Sequence, residues 1–369
     1  MIIKIFDIER DHKTIKSNLI KTFENVLSGG EYILGREVKS FEEEFAAYVG
    51  TKYAVGVASG TDAIKIGGLA LGFKPGDKFV TTPNTYIATA MALSAHGLVP
   101  RFCDIEDDSY NMDPAALKDL LKKEDGIRLC VPVHLYGQPC RLDEIRDACR
   151  EYGVMLMEDA CQAHGSRYKG RNVGTMSDVA AFSFYPTKNL GCYGDGGMIV
   201  TNNESAYKQM LVLRAHGQTN HHVHDVQGFV SRLDELQAAL VRIKLPFLDE
   251  WNIARRQKAS LYDSGLKDLP VKRPVEAPYA YHVYHLYVIA AEDRDALRAY
   301  LAEKGIITLI HYPTPIHLQR VYDQLGYRPG SFPKAETSAR RIISLPLYPS
   351  LGEDEIAYVC QAINEFYGK

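Results

Sequence analysis

The sequence predicts an α/β fold: a large domain built on a mostly parallel sheet, followed by a smaller α+β domain. Short apolar runs rich in β-formers alternate with helical patterns through the first two thirds of the chain. That alternation is typical of a parallel sheet covered by helices. Near residue 250 the pattern changes, and a long polar helix leads to three spaced prolines, Pro270, Pro274 and Pro278. The 369 residues suffice for two domains of about 100–200 residues each.

The first clear element is a helix over residues 38–49, where four apolar side chains recur on one helical stripe: Val38, Phe41, Phe45 and Tyr48. Strands are predicted over residues 78–82, 99–104, 129–133, 154–157, 180–184 and 198–201. Helices are predicted between them, over residues 88–95, 114–122 and 142–152.

The C-terminal part begins with a helix over residues 253–262. A strand (283–290), a helix (294–304), a second strand (306–311) and a final strand and helix follow. The last helix has one apolar face, formed by Ile356, Val359, Ile363 and Phe366. We therefore predict a large domain, with an N-terminal substrate loop, over residues 1–250 and a smaller domain over residues 251–369.

Composition argues against several functional classes. The chain is 46% hydrophobic and 24% charged, with a net charge of −3, so no basic excess favours nucleic acid or an anionic membrane. Residues 1–10 lack the apolar core of a signal peptide, and no run of about 18 apolar residues predicts a membrane span. The seven cysteines are scattered, without a CxxC pair. We expect reduced thiols in a cytoplasmic protein.

The most informative stretch runs over residues 155–202. One apolar strand ends at Asp159, and a second leads to Lys188 and a glycine-rich turn. The carboxyl ends of parallel strands meet at one edge of a sheet, so both side chains should reach the same place. A lysine in a partly apolar pocket has a lowered pKa and forms Schiff bases, while a buried aspartate keeps a pyridine nitrogen protonated. This pair is the minimum that pyridoxal phosphate chemistry requires.

Two further features are consistent with that cofactor. Residues 58–63, which include Gly60 and Thr61, precede a helical run over residues 64–71, and backbone N–H groups at a helix N-terminus bind phosphate; an ordinary helix cap is the alternative. Ser183, close to Lys188 in the chain, could add a hydroxyl. Tyr86 follows a strand and could lie against a heteroaromatic ring, or it could simply pack in the core.

Six blocks of sequence carry a resemblance that runs nearly end to end: residues 35–50 (GREVKSFEEEFAAYVG), 58–64 (ASGTDAI), 158–165 (EDACQAHG), 182–197 (FSFYPTKNLGCYGDGG), 231–240 (SRLDELQAAL) and 311–317 (HYPTPIH). With these blocks the chain resembles the DegT/DnrJ/EryC1/StrS sugar aminotransferases. These are fold-type I enzymes of the aspartate aminotransferase kind that depend on pyridoxal phosphate. The resemblance implies a homodimer whose sites are completed across the interface.

The resemblance also implies residue roles. Lys188 matches the lysine that binds the cofactor's aldehyde, and Asp159 matches the partner of the pyridine nitrogen. Gln162 matches the residue that bonds the phenolic oxygen. The phosphate cradle is matched by Gly60, Thr61 and Ser183, and the stacking aromatic by Tyr86. From the residues themselves, we select Tyr32, Tyr185, His311, Tyr312 and His317 as candidates for substrate contacts. The alternative for His311, Tyr312 and His317 is that they simply end a strand, and Tyr32 could likewise be structural.

The finer resemblance is to the branch that aminates C3 of nucleotide-linked 3-keto-6-deoxyhexoses, with glutamate as the expected donor and dTDP as the expected nucleotide. Members that aminate C4 more often have His in place of Gln162 and a Glu-Gly-Gly turn in place of residues 195–197. C4 amination and amination of an aminocyclitol ketone remain alternatives. So do a non-catalytic regulatory protein that binds the cofactor and an enzyme that uses Lys188 without it.

Two details complete the sequence reading. The family usually has an Asn two residues before Arg232 that reaches the partner subunit's phosphate, and this chain has Val230 there. Ser231 is one residue that could compensate. The cluster His221, His222 and His224 lacks an accompanying Cys or carboxylate pattern, and we predict no metal site.

Overall fold

The computed structural model describes residues 2–368, so the outer limits of the two predicted domains, Met1 and Lys369, lie outside the described residues. The helices are α1 (Ile8–Asp11), α2 (Lys16–Gly29), α3 (Arg36–Val49), α4 (Gly60–Ala70), α5 (Ala88–Ser94), α6 (Pro114–Lys123), α7 (Leu142–Glu151), α8 (Glu204–Arg214), α9 (Glu235–Lys244), α10 (Leu248–Gly265), α11 (Arg294–Glu303), α12 (Pro333–Arg341) and α13 (Glu353–Phe366). The strands are β1 (Tyr53–Val57), β2 (Lys78–Thr81), β3 (Val99–Phe102), β4 (Ile127–Cys130), β5 (Met155–Asp159), β6 (Arg167–Tyr168), β7 (Arg171–Asn172), β8 (Val179–Ser183), β9 (Gly197–Thr201), β10 (Gln218–Asn220), β11 (Val223–His224), β12 (Ala280–Tyr281), β13 (Tyr287–Ala290) and β14 (Ile342–Leu345).

A seven-stranded sheet with the order β1-β9-β8-β5-β4-β2-β3 forms the centre of the fold. The pairs β5–β8, β4–β5, β2–β4 and β2–β3 are parallel, whereas β9 runs antiparallel to both β1 and β8. The predicted α/β class with a mostly parallel sheet is therefore confirmed. The sequence analysis did not assign β1, an edge strand that leads directly to the start of α4.

Both faces of this sheet are buried, because successive side chains of a strand point to opposite faces. On one face, Val55, Met157 and Ile199 belong to a core shared with Ile64 of α4 and Leu93 of α5. On the other face, the cores contain side chains of β4, β5, β8 and β9 together with residues of α3, α6, α7 and α9. Helices thus cover both faces of the sheet, and the ends of the strands are left uncovered.

A second core lies in the C-terminal part, where α10, α11 and α13 pack around the antiparallel pair β13–β14. Ile3 joins this core, pairing with Ile306, so the N-terminal segment packs with the C-terminal helices. The prediction of a strand over residues 306–311 is wrong. Only isolated bridges form there, Ile306 to Ile3 and Leu309 to Ser344, because no neighbouring strand runs beside the segment for more than one residue pair.

A buried carboxylate fixes the start of α3. Glu235, 2% exposed, accepts hydrogen bonds from the backbone N–H groups of Gly35, Glu37 and Val38 at 2.8–2.9 Å. A carboxylate at a helix N-terminus satisfies N–H groups that have no partner within the helix and interacts favourably with the helix dipole. This contact joins the first turns of α3 and α9, two helices on the same face of the sheet.

Within residues 2–368, no helix combines the length and the apolar character that crossing a membrane requires.

The aromatic cluster beneath α3 yields a stability prediction. Phe45 is fully buried, with its ring centroid 5.1 Å from that of Phe182 and 5.4 Å from that of Phe184. Phe45→Ala should lower the free energy of unfolding by about 3–5 kcal/mol, because the cavity left behind cannot refill. Urea denaturation measures this loss, with Ile253→Ala on the exposed face of α10 as the control. Equal losses in the two variants would contradict the assignment of Phe45 to the core.

Candidate active site

A cavity of about 420 Å³ opens at the carboxyl ends of β5 and β8, beside the N-terminus of α4. Ten of the residues predicted from the sequence line it: Gly60, Thr61, Tyr86, Asp159, Gln162, Ser183, Tyr185, Lys188, His311 and Tyr312. These side chains come from β5, β8, two helix starts and the segment after residue 310. This is the edge at which open α/β sheets place their ligands.

Asp159 is a buried carboxylate without a cationic partner. It ends β5 and is 3% exposed. Its Oδ2 accepts a hydrogen bond from Thr89 Oγ1 at 2.8 Å, and its Oδ1 accepts one from the Cys161 N–H at 3.1 Å. Across residues 2–368, no Lys, Arg or His forms an ion pair with it. A buried charge requires such a partner, so the site suits a ligand with a protonated nitrogen.

Lys188 lies in the loop that follows β8, and its side chain reaches the same cavity. Its Nζ makes no hydrogen bond to any residue between 2 and 368. Burial lowers the pKa of Lys188, and the nearby Cys161 and Asp159 oppose that shift only in part. More of the amine is therefore neutral, and the neutral form is the one that attacks an aldehyde. The loop needs glycine at 191, where a Cβ would lie 2.6 Å from the Pro186 carbonyl oxygen.

The start of α4 forms a cradle of donors. Ser59 is the helix cap: its Oγ accepts from the Asp62 N–H at 3.1 Å, and its carbonyl oxygen accepts from the Ala63 N–H at 2.9 Å. The N–H groups of Gly60 and Thr61 keep no partner within the helix. A Cβ at residue 60 would lie 2.5 Å from Ser183 Cβ, so only glycine permits the two elements to meet.

The structure assigns the helix cap to Ser59. This cap is compatible with a phosphate site, because the N–H groups of Gly60 and Thr61 and the hydroxyls of Thr61 and Ser183 remain for an anion. An N-terminus of this kind favours a phosphate.

Ser231 contacts the residues on either side of the cradle. It is fully buried, donates from Oγ to Asp62 Oδ2 at 2.6 Å, and accepts from the Ala58 N–H at 3.2 Å. Its hydroxyl is therefore engaged within its own chain. Val230 is 60% exposed and has no polar atom to offer to a phosphate. Ser231 therefore helps to position the start of α4.

Gln162 directs its amide N–H₂ group towards the cavity. Its Oε1 accepts from the Tyr136 N–H at 2.7 Å, which fixes the orientation of the amide, and its Nε2 donates to the Tyr312 hydroxyl at 3.1 Å. A ring oxygen in the cavity would find a donor here.

Tyr86 and His311 are also oriented in the cavity. The Tyr86 ring lies 5.5 Å from that of Tyr312 and is 56% exposed, which argues against simple core packing. His311 Nδ1 lies 2.8 Å from Ser344 Oγ. Burial lowers the pKa of His311 to about 4, with a contribution from Lys188. His311 is therefore neutral at pH 7.

Two predicted substrate residues lie outside this cavity. Tyr32 is 49% exposed, and its hydroxyl donates to the Leu27 carbonyl oxygen at 3.2 Å. His317 is 1% exposed, with Nε2 3.1 Å from Glu336 Oε1 and its ring against Phe332. His317 therefore packs within the fold, whereas Tyr32 remains free for a contact beyond its own chain.

The sequence analysis did not select Thr89 or His285, which also line the cavity. Thr85 lies just before α5 and Thr89 lies in its first turn, and their hydroxyl oxygens are 3.1 Å apart. His285 stands within an apolar stretch of the sequence. A histidine in such a stretch could have been selected as a candidate site residue. Among residues 2–368, no group of three or more His, Cys, Asp or Glu side chains could hold a metal ion.

Comparison with known proteins agrees with this geometry. The model of the DegT/DnrJ/EryC1/StrS aminotransferase family matches residues 13–364. The chain belongs to this family. It is therefore an aminotransferase, and the position of Lys188 in the cavity is consistent with that activity.

Relatives match over nearly the whole length. The chain is 41% identical to the dTDP-3-amino-3,4,6-trideoxy-alpha-D-glucose transaminase of Streptomyces venezuelae, covering 99% of this chain and 96% of the relative. It is 40% identical to a pleiotropic regulatory protein of Geobacillus stearothermophilus, covering 100% and 99%. The crystal structure of S. venezuelae DesV in complex with a ketimine intermediate superposes with a TM-score of 0.97 at 41% identity, covering 100% of this chain and 99% of that chain.

The environment of Lys188 predicts its reactivity. In the cofactor-free chain, reductive methylation with formaldehyde should modify Lys188 with a midpoint pH below about 10.4, the value of an exposed lysine. Asp159→Asn should lower this midpoint further, because the carboxylate stabilises the ammonium form. Peptide mass spectrometry over a pH series measures both. Lys169, whose pKa is raised by its hydrogen bond to Asp143, is the internal control; a shared midpoint would refute the prediction.

Proposed function

We propose that this aminotransferase uses pyridoxal phosphate to transfer an amino group from glutamate to C3 of a dTDP-linked 3-keto-6-deoxyhexose, a step of deoxyamino-sugar biosynthesis. The observation that carries the proposal is one cavity that holds a buried carboxylate, Asp159, and the half-buried side chain of Lys188, with no ion pair between them. The donor cradle of α4 opens into the same cavity. Few ligands other than a phosphorylated pyridine aldehyde suit all three features.

Pyridoxal phosphate, when bound, supplies an aldehyde that condenses with amines and a ring that withdraws electrons from the reacting carbon. Lys188 would hold the aldehyde carbon, and Asp159 would hold the proton of the ring nitrogen. Gln162 Nε2 would donate to the ring oxygen. The phosphate would accept from the N–H groups at the start of α4 and from the hydroxyl of Ser183, and Tyr86 would cover the ring.

Lys188 has two tasks in this proposal. As a neutral amine it would hold the aldehyde carbon, and when free its Nζ would accept and return a proton as general base and acid. Its lowered pKa serves both tasks, because a neutral amine accepts a proton readily. The Thr89 hydroxyl holds the Asp159 carboxylate in place.

The sugar specificity rests on the relatives and on two sequence features. The S. venezuelae transaminase, 41% identical, is named for a 3-amino sugar. Gln162 and Asp195, both in the cavity lining, are the residues that distinguish the C3 branch from the C4 branch in the resemblance. Tyr185, His311 and Tyr312 remain our candidates for contacts with the hexose.

The regulatory alternative draws support from the name of the G. stearothermophilus relative. A non-catalytic protein would have no need to retain the reactive lysine. This chain retains Lys188 together with Asp159 in one cavity, which favours turnover.

We further infer that the protein works as a cytoplasmic homodimer. Tyr32 and the β10–β11 hairpin with His221, His222 and His224 are exposed and outside the chain's own cavity, where a second copy could receive them. All seven cysteines are unpaired, as expected of a reducing compartment.

The regiochemistry can be tested directly. With glutamate and added pyridoxal phosphate, the purified protein should aminate a dTDP-3-keto-6-deoxyhexose and leave the 4-keto isomer largely unchanged, at a kcat/KM ratio of about 10²-fold or more. Liquid chromatography with mass spectrometry measures the two products side by side. Preferential amination of the 4-keto sugar, or of an aminocyclitol ketone, would overturn the C3 assignment and leave the aminotransferase activity intact.

The roles of the two central residues predict separate losses. Lys188→Ala should reduce turnover by about 10²–10⁴-fold, the size of a general acid–base contribution. Asp159→Asn keeps the shape but loses the charge, and should weaken both cofactor binding and turnover. Steady-state kinetics and equilibrium dialysis with pyridoxal phosphate measure these effects, with Lys169→Ala on the surface as the control. Full turnover by Lys188→Ala would contradict the proposed role.

A further inference from the structure

Two buried amides form a hydrogen-bonded chain directly behind Lys188. Asn189, the next residue, is 4% exposed, and its Nδ2 donates to Asn252 Oδ1 at 2.8 Å and to the Val283 carbonyl oxygen at 3.1 Å. Asn252 on α10 donates in turn from Nδ2 to the His164 carbonyl oxygen at 2.9 Å. Carbonyl oxygens only accept, so the orientation of both amides is fixed.

This orientation determines the tautomer of His285. Asn189 Oδ1 lies 3.2 Å from His285 Nδ1. An amide oxygen only accepts, so Nδ1 must carry the proton. Burial holds the pKa of His285 well below its usual range, with Lys188 and Arg255 adding repulsion, so the ring is neutral. A neutral imidazole protonated at Nδ1 has a lone pair at Nε2.

The Nε2 atom of His285 faces the cavity. The ring lines the cavity and lies nearly parallel to that of Phe6, at 15° and 6.3 Å between centroids. Among residues 2–368, Nε2 has no hydrogen-bond partner. It is absent from the set of unpartnered side-chain atoms that are fully buried, so it is accessible. It is therefore available to a group that enters the cavity.

We propose that His285 is an acceptor-only group of the active site, held by Asn189 and Asn252, which takes a hydrogen bond at Nε2 from a donor in the cavity. This inference rests on the proposed function. Two donors have the required chemistry: the amino group of Lys188 when it is released, and a hydroxyl of the hexose. Asn189 and Asn252 are positioning residues, since they act through the histidine.

An acceptor in this place contributes to specificity. The amide of Gln162 and the hydroxyls of Thr61 and Ser183 offer protons to the cavity, whereas His285 Nε2 offers none. A carbonyl oxygen held against Nε2 would be repelled, and a hydroxyl or amine would be bound. A site built to pair with a hydroxyl rejects an analogue that lacks it.

The tautomer can be measured on the cofactor-free chain, without any activity. In long-range ¹H–¹⁵N spectra of protein labelled with [¹⁵N]histidine, at pH 7.5, His285 should show the proton on Nδ1. His285→Gln identifies its signals among the 12 histidines. Asn189→Leu removes the acceptor and should release the tautomer, whereas Ile253→Ala on the exposed face of α10 should leave it unchanged. A proton on Nε2, or a doubly protonated ring, in the unsubstituted chain would overturn the proposal.

Half-reaction kinetics then identify the donor. His285→Phe should slow the affected half reaction by about three- to ten-fold, the size of one net hydrogen bond, and His285→Gln, which keeps an acceptor, should recover most of it. If the half reactions with glutamate and with the dTDP-keto sugar are both slowed, the donor is the amino group of Lys188. If only the half reaction with the sugar is slowed, the donor is a hydroxyl of the sugar. Unchanged rates for His285→Phe in both half reactions would overturn the acceptor role. If the unsubstituted chain aminated no keto sugar, the proposed function would fail, and the tautomer measurement would still decide this inference.

Discussion

A buried carboxylate and a half-buried lysine share one cavity without an ion pair between them. Thr89 and the Cys161 N–H hold the Asp159 carboxylate at the end of β5, and Lys188 reaches the cavity from the loop after β8. A charge removed from water without a partner is costly. A ligand that bridges the two groups would recover this cost, so its binding would also stabilise the fold.

The cradle at the start of α4 is held by contacts from several parts of the chain. Ser59 caps α4, Ser231 donates to Asp62 in the first turn of the same helix, and glycine at 60 lets that turn touch Ser183. The cap is local, whereas the contacts of Ser231 and Ser183 join segments more than 100 residues apart. The cradle is thus formed before any anion arrives, and binding needs little further ordering of the backbone.

The sequence was sufficient to predict the elements whose signal is local. Short apolar runs between helical patterns predicted the parallel strands. Because parallel strands end at the same edge of a sheet, the ends of two such runs predicted that Asp159 and Lys188 lie close together. The edge strand β1 was not assigned, because its burial depends on pairing with β9, about 145 residues later in the chain. The bridges of residues 306–311 to Ile3 and Ser344 and the packing of His317 on Phe332 and Glu336 are likewise set by tertiary contacts. The Asn189–His285 contact joins residues 96 apart, and no local pattern encodes it.

Three neutral histidines around Lys188 show how the cavity controls charge. Burial lowers the pKa of His164 to about 3 and that of His311 to about 4, and it holds that of His285 below its usual range. In each case the charge of Lys188 adds to the shift. The His285 and His311 rings, which line the cavity, therefore supply polar surface without adding a second positive charge to it. Because the coupling is mutual, a lysine that loses its charge on bonding to an aldehyde makes these rings easier to protonate. The charge state of the whole cavity then depends on whether that one amine is free.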